Sequence, residues 1–184
     1  MPRSTERLFV ALALPDPVRS ALVALTQSLP GVTWTPPAQL HLTVRFLGDV
    51  PVPQIEPLVA RFATVRVEPF LLPVEGLGAF PPKRPPRVLW AGVGSGHPRL
   101  HQLRQRLDDT MLAAGLDVDL RTFHPHVTLA LCPGATAATA QRWLHIHRAF
   151  TAPPFRVESF ALFASELKTG GAVHTLRQNF LLEK

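Results

Sequence analysis

The sequence predicts an α+β fold: a bilobal domain of two small, mainly antiparallel sheets, each backed by helices, related by an approximate twofold across a cleft. Three observations predict it. Short β-type apolar runs alternate with helical stretches, and the order of these parts occurs twice along the chain. The two copies also keep their spacing, since His41 to Pro69 and His126 to Pro154 are each 28 residues apart. One domain over residues 1–184 follows, with repeat units about 7–80 and 87–163 and a final strand about 174–182.

The first strand of each unit is "RLFVALAL" (7–14) and "RVLWAGVG" (87–94), rich in β-branched and aromatic residues. Helices follow both. In the first, Asp16 is the expected N-cap, Pro17 takes the first helical position, and Val18, Ala21, Leu22, Leu25 and Leu29 recur at helical spacing until Pro30-Gly31. In the second, Pro98 starts the helix, Leu100, Leu103, Leu107 and Met111 line one face, and Gly115 ends it. Next come the strands "HLTVRFLG" (41–48) and "HPHVTLAL" (124–131), then helices about 52–65 and 136–149. Pro57 is expected to delay the start of the first of these to Gln54 or later, because an interior proline removes a backbone hydrogen bond. The units close with strands 69–80 and 154–163, free to cross to the other sheet, and the Pro-rich stretch 80–87 joins them as an extended loop.

Length and composition suit a globular chain with a real core. No apolar run approaches the roughly 20 residues that cross a bilayer, and the N-terminus lacks a secretory pattern, so the reading is cytoplasmic with no membrane association. Cys132 is the single cysteine, which rules out an intramolecular disulfide and a zinc site of cysteines. The net charge is +6, and sixteen of the nineteen basic residues are arginine. Such an excess favours a polyanionic partner, although a GC-rich genome produces the same arginine bias without function.

Chemistry is written in the two His-x-Thr runs. On a strand, residues i and i+2 leave from the same face, so each run presents an imidazole beside a hydroxyl. Facing one another about a twofold, His41, Thr43, His126 and Thr128 form a proton-transfer pair with two hydrogen-bond donors for an anion. This suits displacement at a phosphodiester, where one group deprotonates the attacker and another protonates the leaving oxygen. Histidine serves either role near neutral pH, and neither metal nor cofactor is required. Two plainer readings stand beside this one: histidines that align only as packing residues, and a zinc site from His41, His124 and His126, which lacks a completing carboxylate or cysteine.

"RLFVALALP", "WTPPAQLHLTVRFLGDV", "FPPKRPPRVLWAGV" and "FHPHVTLAL" together resemble the two-histidine phosphoesterase superfamily, and most closely its bacterial and archaeal RNA 2′,3′-cyclic phosphodiesterases, also called 2′-5′ RNA ligases. The resemblance implies a cleft with His41 as proton donor and His126 as proton acceptor. It implies hydrolysis of a terminal 2′,3′-cyclic phosphate to a 2′-phosphate, and 2′-5′ joining of RNA ends as the reverse reaction. The partners implied are RNA ends carrying that phosphate, tRNA fragments among them, met by a monomer. Many relatives carry an arginine five residues after the second histidine, where this chain has Leu131. Arg45, expected on the face of His41 and Thr43, is the first candidate to replace it. Phe9 and Phe46 are candidates for stacking on the terminal base, with Phe46 expected to alternate away from His41 into the core. Lys83, Arg84 and Arg87 are candidate backbone contacts, and His124 a neighbour at the cleft edge. Two further readings remain: an enzyme acting on a small cyclic phosphate, such as an ADP-ribose cyclic phosphate, or on a 2′-5′ oligonucleotide, and a non-catalytic RNA-end-binding protein.

Overall fold

The computed structural model describes residues 4–184 apart from 83, 95, 120 and 170. Lys83 therefore lies outside the described residues. In chain order the elements are β1 (Thr5–Ala13), α1 (Asp16–Val23), β2 (Thr33–Trp34), β3 (His41–Pro51), α2 (Val52–Phe62), β4 (Phe70–Phe80), β5 (Val88–Val93), α3 (Pro98–Ala113), β6 (His126–Leu131), α4 (Ala137–Ile146), β7 (Thr151–Val157), β8 (Ser159–Lys168) and β9 (Gly171–Leu181). The fold is α+β, with these helices packed on an antiparallel sheet.

Strand order explains how the cleft forms. The sheet runs β7-β4-β5-β6-β3-β1-β8-β9, with β2 added beside β6. Strand β4, late in the first unit, pairs with β5 of the second, and β8 returns from the second unit to pair with β1. Each lobe is thus built from both halves of the chain. The two four-strand sets meet through β3 and β6, where Leu42 faces Val127.

Helices bury their apolar ridges in one core: Val18 and Leu22 from α1, Ile55, Leu58 and Phe62 from α2, Leu100, Leu103, Leu107 and Met111 from α3, and Ala140 and Trp143 from α4. Several boundaries differ from the sequence expectation, Asp16 among them, which is the first residue of α1 and not its N-cap, and three of the differences have a local physical cause. Helix α1 ends at Val23, seven residues before Pro30, because Leu25 and Thr26 bond back three residues to Leu22 and Val23 and tighten the chain out of the helix. Helix α2 begins at Val52 and keeps Pro57 inside it. Only one backbone bond is lost there, and burial of Ile55, Leu58 and Phe62 outweighs it. The expected strand 154–163 is two strands, broken at Glu158, since β7 follows β4 while β8 crosses to β1. Gly115 ends α3 as expected, at a φ of 74° that side-chain-bearing residues rarely adopt.

Candidate active site

Leu42 and Val127 are fully buried on the core side of the sheet junction. Their strand neighbours leave from the opposite face, and so His41, Thr43, His126 and Thr128 all line one open cleft of about 870 Å³. In this antiparallel register His41 lies diagonally from His126, and the two threonines occupy the other diagonal. The sequence-predicted quartet is brought together.

Both imidazoles are held in the same way. His41 donates from Nδ1 to the Gln39 carbonyl at 2.7 Å, and His126 donates from Nδ1 to the His124 carbonyl at 2.6 Å. A carbonyl only accepts, so each ring carries its proton on Nδ1 and keeps Nε2 for the cleft. Nε2 of His41 stands 3.1 Å from the Thr43 hydroxyl. Burial lowers the pKa of both histidines from the ordinary 6.5, and the hydrogen bonds to Gln39 and His124 oppose this in part. His174 and His126 add a like-charge effect that lowers His41 further.

The residues 12–90 and 93–174 match the family described as LigT like Phosphoesterase. The chain belongs to that family. Among curated relatives, an RNA 2′,3′-cyclic phosphodiesterase of Thermus thermophilus is 37% identical over 186 residues, covering 96% of this chain and 90% of the relative. One from Aeropyrum pernix is 41% identical over 95 residues, 52% of this chain and 54% of its own length. One from Geobacillus stearothermophilus is 35% identical over 128 residues, 66% of this chain, and that match spans 40% of the relative. Solved structures agree: E. coli LigT complexed with 3′-AMP superposes with a TM-score of 0.78 at 26% identity, covering 98% of this chain and 99% of that one. A protein of Thermus thermophilus gives 0.74 at 33%, covering 96% and 97%.

Within this LigT-like cleft, two of the further sequence candidates are displaced. Arg45 is 3% exposed: it borders the cleft, but its side chain is turned to the core side rather than standing beside His41 and Thr43. The ladder between β1 and β3 pairs Val10 with Arg45 and Ala11 with Thr43, so Val44 is an extra residue, a β-bulge. The bulge inverts the alternation beyond it. Arg45 consequently shares the core face of Val10, where its Nε pairs with Asp108 of α3 and its Nη1 donates to the Asp119 carbonyl at 2.7 Å. The same inversion sends Phe46, expected in the core, out into the cleft at 64% exposure.

Phe9 is the opposite case. It lies on the His41 face but is 3% exposed, stacked on Phe163 at 5.3 Å and set against His41 at 5.0 Å. Its ring is a floor under His41, with no free face for a base. Leu131 lines the cleft and is exposed, so this position offers the cleft no cation. Among the described residues four arginines line the cleft, Arg7, Arg45, Arg104 and Arg121. Arg45 and Arg104 are engaged below its floor, and Arg121 forks onto Asp119, holding that carboxyl at about 2. Arg84 and Arg87 are exposed in the Pro-rich loop.

Several lining residues carried no sequence signal. Phe80, at the end of β4, sets its ring 5.3 Å from His126 and 5.2 Å from Trp90. His174 of β9 stands 5.3 Å from His41 with the rings perpendicular. Both arrive by strand crossings between lobes, which local pattern does not reveal. Among the described residues no group of three or more His, Cys, Asp or Glu is placed to hold a metal ion.

Proposed function

We propose that this protein is a metal-independent RNA 2′,3′-cyclic phosphodiesterase, opening a terminal 2′,3′-cyclic phosphate with water to leave a 2′-phosphate. One observation carries the reading: two imidazoles, each locked by Nδ1 to a backbone carbonyl, keep Nε2 for the same cleft beside two threonine hydroxyls. Neutral His126 takes a proton from water as its oxygen attacks phosphorus. Protonated His41 gives its Nε2 proton to O3′ as the P–O3′ bond breaks. Thr43 and Thr128 donate to the non-bridging oxygens, whose charge grows in the transition state. The same steps with a ribose 5′-hydroxyl in place of water join RNA ends through a 2′-5′ bond, and their reverse cleaves such a bond.

Relatives named RNA 2′,3′-cyclic phosphodiesterase, and a 3′-AMP-bound neighbour of the same fold, support RNA ends as the substrate class. The net charge of +6 suits a polyanion. The exposed face of Phe46 is offered to the terminal base, where a stacked ring binds without reading sequence. The enzyme acts as a cytoplasmic monomer on ends that include tRNA fragments. No described helix is long and apolar enough to cross a membrane.

The deciding experiment incubates an RNA oligonucleotide ending in a 2′,3′-cyclic phosphate with the protein in EDTA, wild type beside His126→Ala, and resolves 2′- from 3′-phosphate products. A 2′-phosphate formed only by the wild type is the expected result. An untouched RNA substrate would move the reading to small cyclic phosphates, and loss of activity in EDTA alone would overturn the metal-free mechanism.

A further inference from the structure

His174 sits in the wall of the cleft, on the hairpin of β8 and β9, directly across from Ser165. Its ring is wedged between two others, 4.8 Å from Phe9 and 5.3 Å from His41, edge-on to both. Within that wedge its Nδ1 is closed off from solvent and has no hydrogen-bond partner. A buried polar atom without a partner is costly and calls for an explanation.

The tautomer follows from that environment. A bare ring nitrogen loses less by burial among rings than an N–H does, so the proton of neutral His174 resides on Nε2. Burial also disfavours the charged ring. His41 has the reverse arrangement, Nδ1 protonated and Nε2 open. The two adjacent rings therefore play different parts: His41 exchanges a proton, whereas His174 holds one.

We propose that His174 is a third substrate-binding histidine, donating its Nε2–H to a phosphoryl oxygen of the nucleotide held between His41 and His126. It acts as a neutral donor, in a cleft whose deeper arginines are already engaged and whose Leu131 position offers no cation. The proposal rests on the reading of this cleft as a cyclic phosphodiesterase site, but its test does not depend on turnover.

Inorganic phosphate and 3′-AMP are titrated separately into wild type, H174F and H174Q, with affinity read by calorimetry and folding by thermal melting. H174F keeps a ring against Phe9 and His41 but has no donor; H174Q restores one. Loss of a single neutral donor to a charged acceptor should weaken both probes roughly ten- to a hundredfold in H174F, with H174Q within about twofold of wild type. Should H174F melt abnormally, H174L against H174Q gives the same comparison. Unchanged phosphate affinity in the donor-less variant would reduce His174 to packing and overturn the proposal. A loss confined to 3′-AMP would also overturn it, by placing the contact on sugar or base. Loss of one limb of the pH–rate profile in H174F and H174Q alike would make the residue an acid or base instead. If wild type leaves RNA cyclic phosphate untouched yet phosphate binding falls in H174F, the substrate reading fails and this inference stands.

Discussion

His41 and His126 are distinguished from the other histidines by what holds them rather than by what they are. Their Nδ1 bonds fix ring orientation, so replacing either removes both the proton carrier and its alignment. His41→Ala and His126→Ala should each lower kcat/KM for the cyclic phosphate by at least about 10²-fold, the usual scale for a lost acid or base. Thr43→Ala and Thr128→Ala should lose less, chiefly through weaker phosphate binding. Phe46→Ala should weaken a nucleotide but not inorganic phosphate, by about 1–3 kcal/mol for a stacked base; equal losses for both probes would deny it the base. The pH dependence has a definite sign. Both histidines are lowered from 6.5 by burial, so the bell-shaped kcat/KM profile, which reports the free enzyme, should peak below that value. A bound phosphate anion stabilises the charged rings, and so the kcat profile should lie at higher pH. A kcat/KM maximum above neutrality would contradict this ordering.

At the scale of elements, the bulge at Val44 is the feature on which the cleft's selectivity turns, and α3 holds it in place. Arg104 donates to the Val44 carbonyl at 3.1 Å, Asp108 pairs with Arg45, and both arginines reach the Asp119 carbonyl. Asp108→Asn strands the buried Arg45 charge, which should destabilise the fold by about 3 kcal/mol in urea titration. Release of the bulge should also weaken nucleotide binding through Phe46, while phosphate affinity stays near wild type. The bulge also marks where sequence reasoning stopped. The strands, the amphipathic helices and the His-x-Thr quartet follow from periods of two and 3.6 residues, and the structure brings those four residues into one cleft. Arg45 and Phe46 were misplaced because strict alternation assumes an unbroken ladder, and a bulge stabilised by a helix about 60 residues away leaves no local mark. Phe80 and His174 were invisible for a related reason, since the swap of β4 and β8 between lobes is a property of the whole sheet.

At the scale of the whole molecule, the cleft couples folding to pH. Three histidines that share it, His41, His126 and His174, have folded-state pKa values below the ordinary 6.5, each chiefly through burial. The unfolded chain, with ordinary values, binds more protons than the folded chain as pH falls through 6.5, so stability declines with acidification over that window. Well above 6.5 all three rings are neutral in both states, and their contribution is complete. The urea midpoint should therefore be flat from about pH 8 to 7 and fall from pH 6.5 towards 5, below the slope set by carboxylates alone. Phosphate should counteract the fall, because an anion in the cleft favours the charged rings of the folded state and binds only that state. The comparison that isolates the effect is His41→Phe with His126→Phe, which removes two of the three groups while keeping apolar rings in place. That double variant should lose much of the decline between pH 6.5 and 5 and most of its rescue by phosphate, His174, Thr43 and Thr128 remaining to bind the anion; an unchanged decline would locate the acid sensitivity outside the cleft.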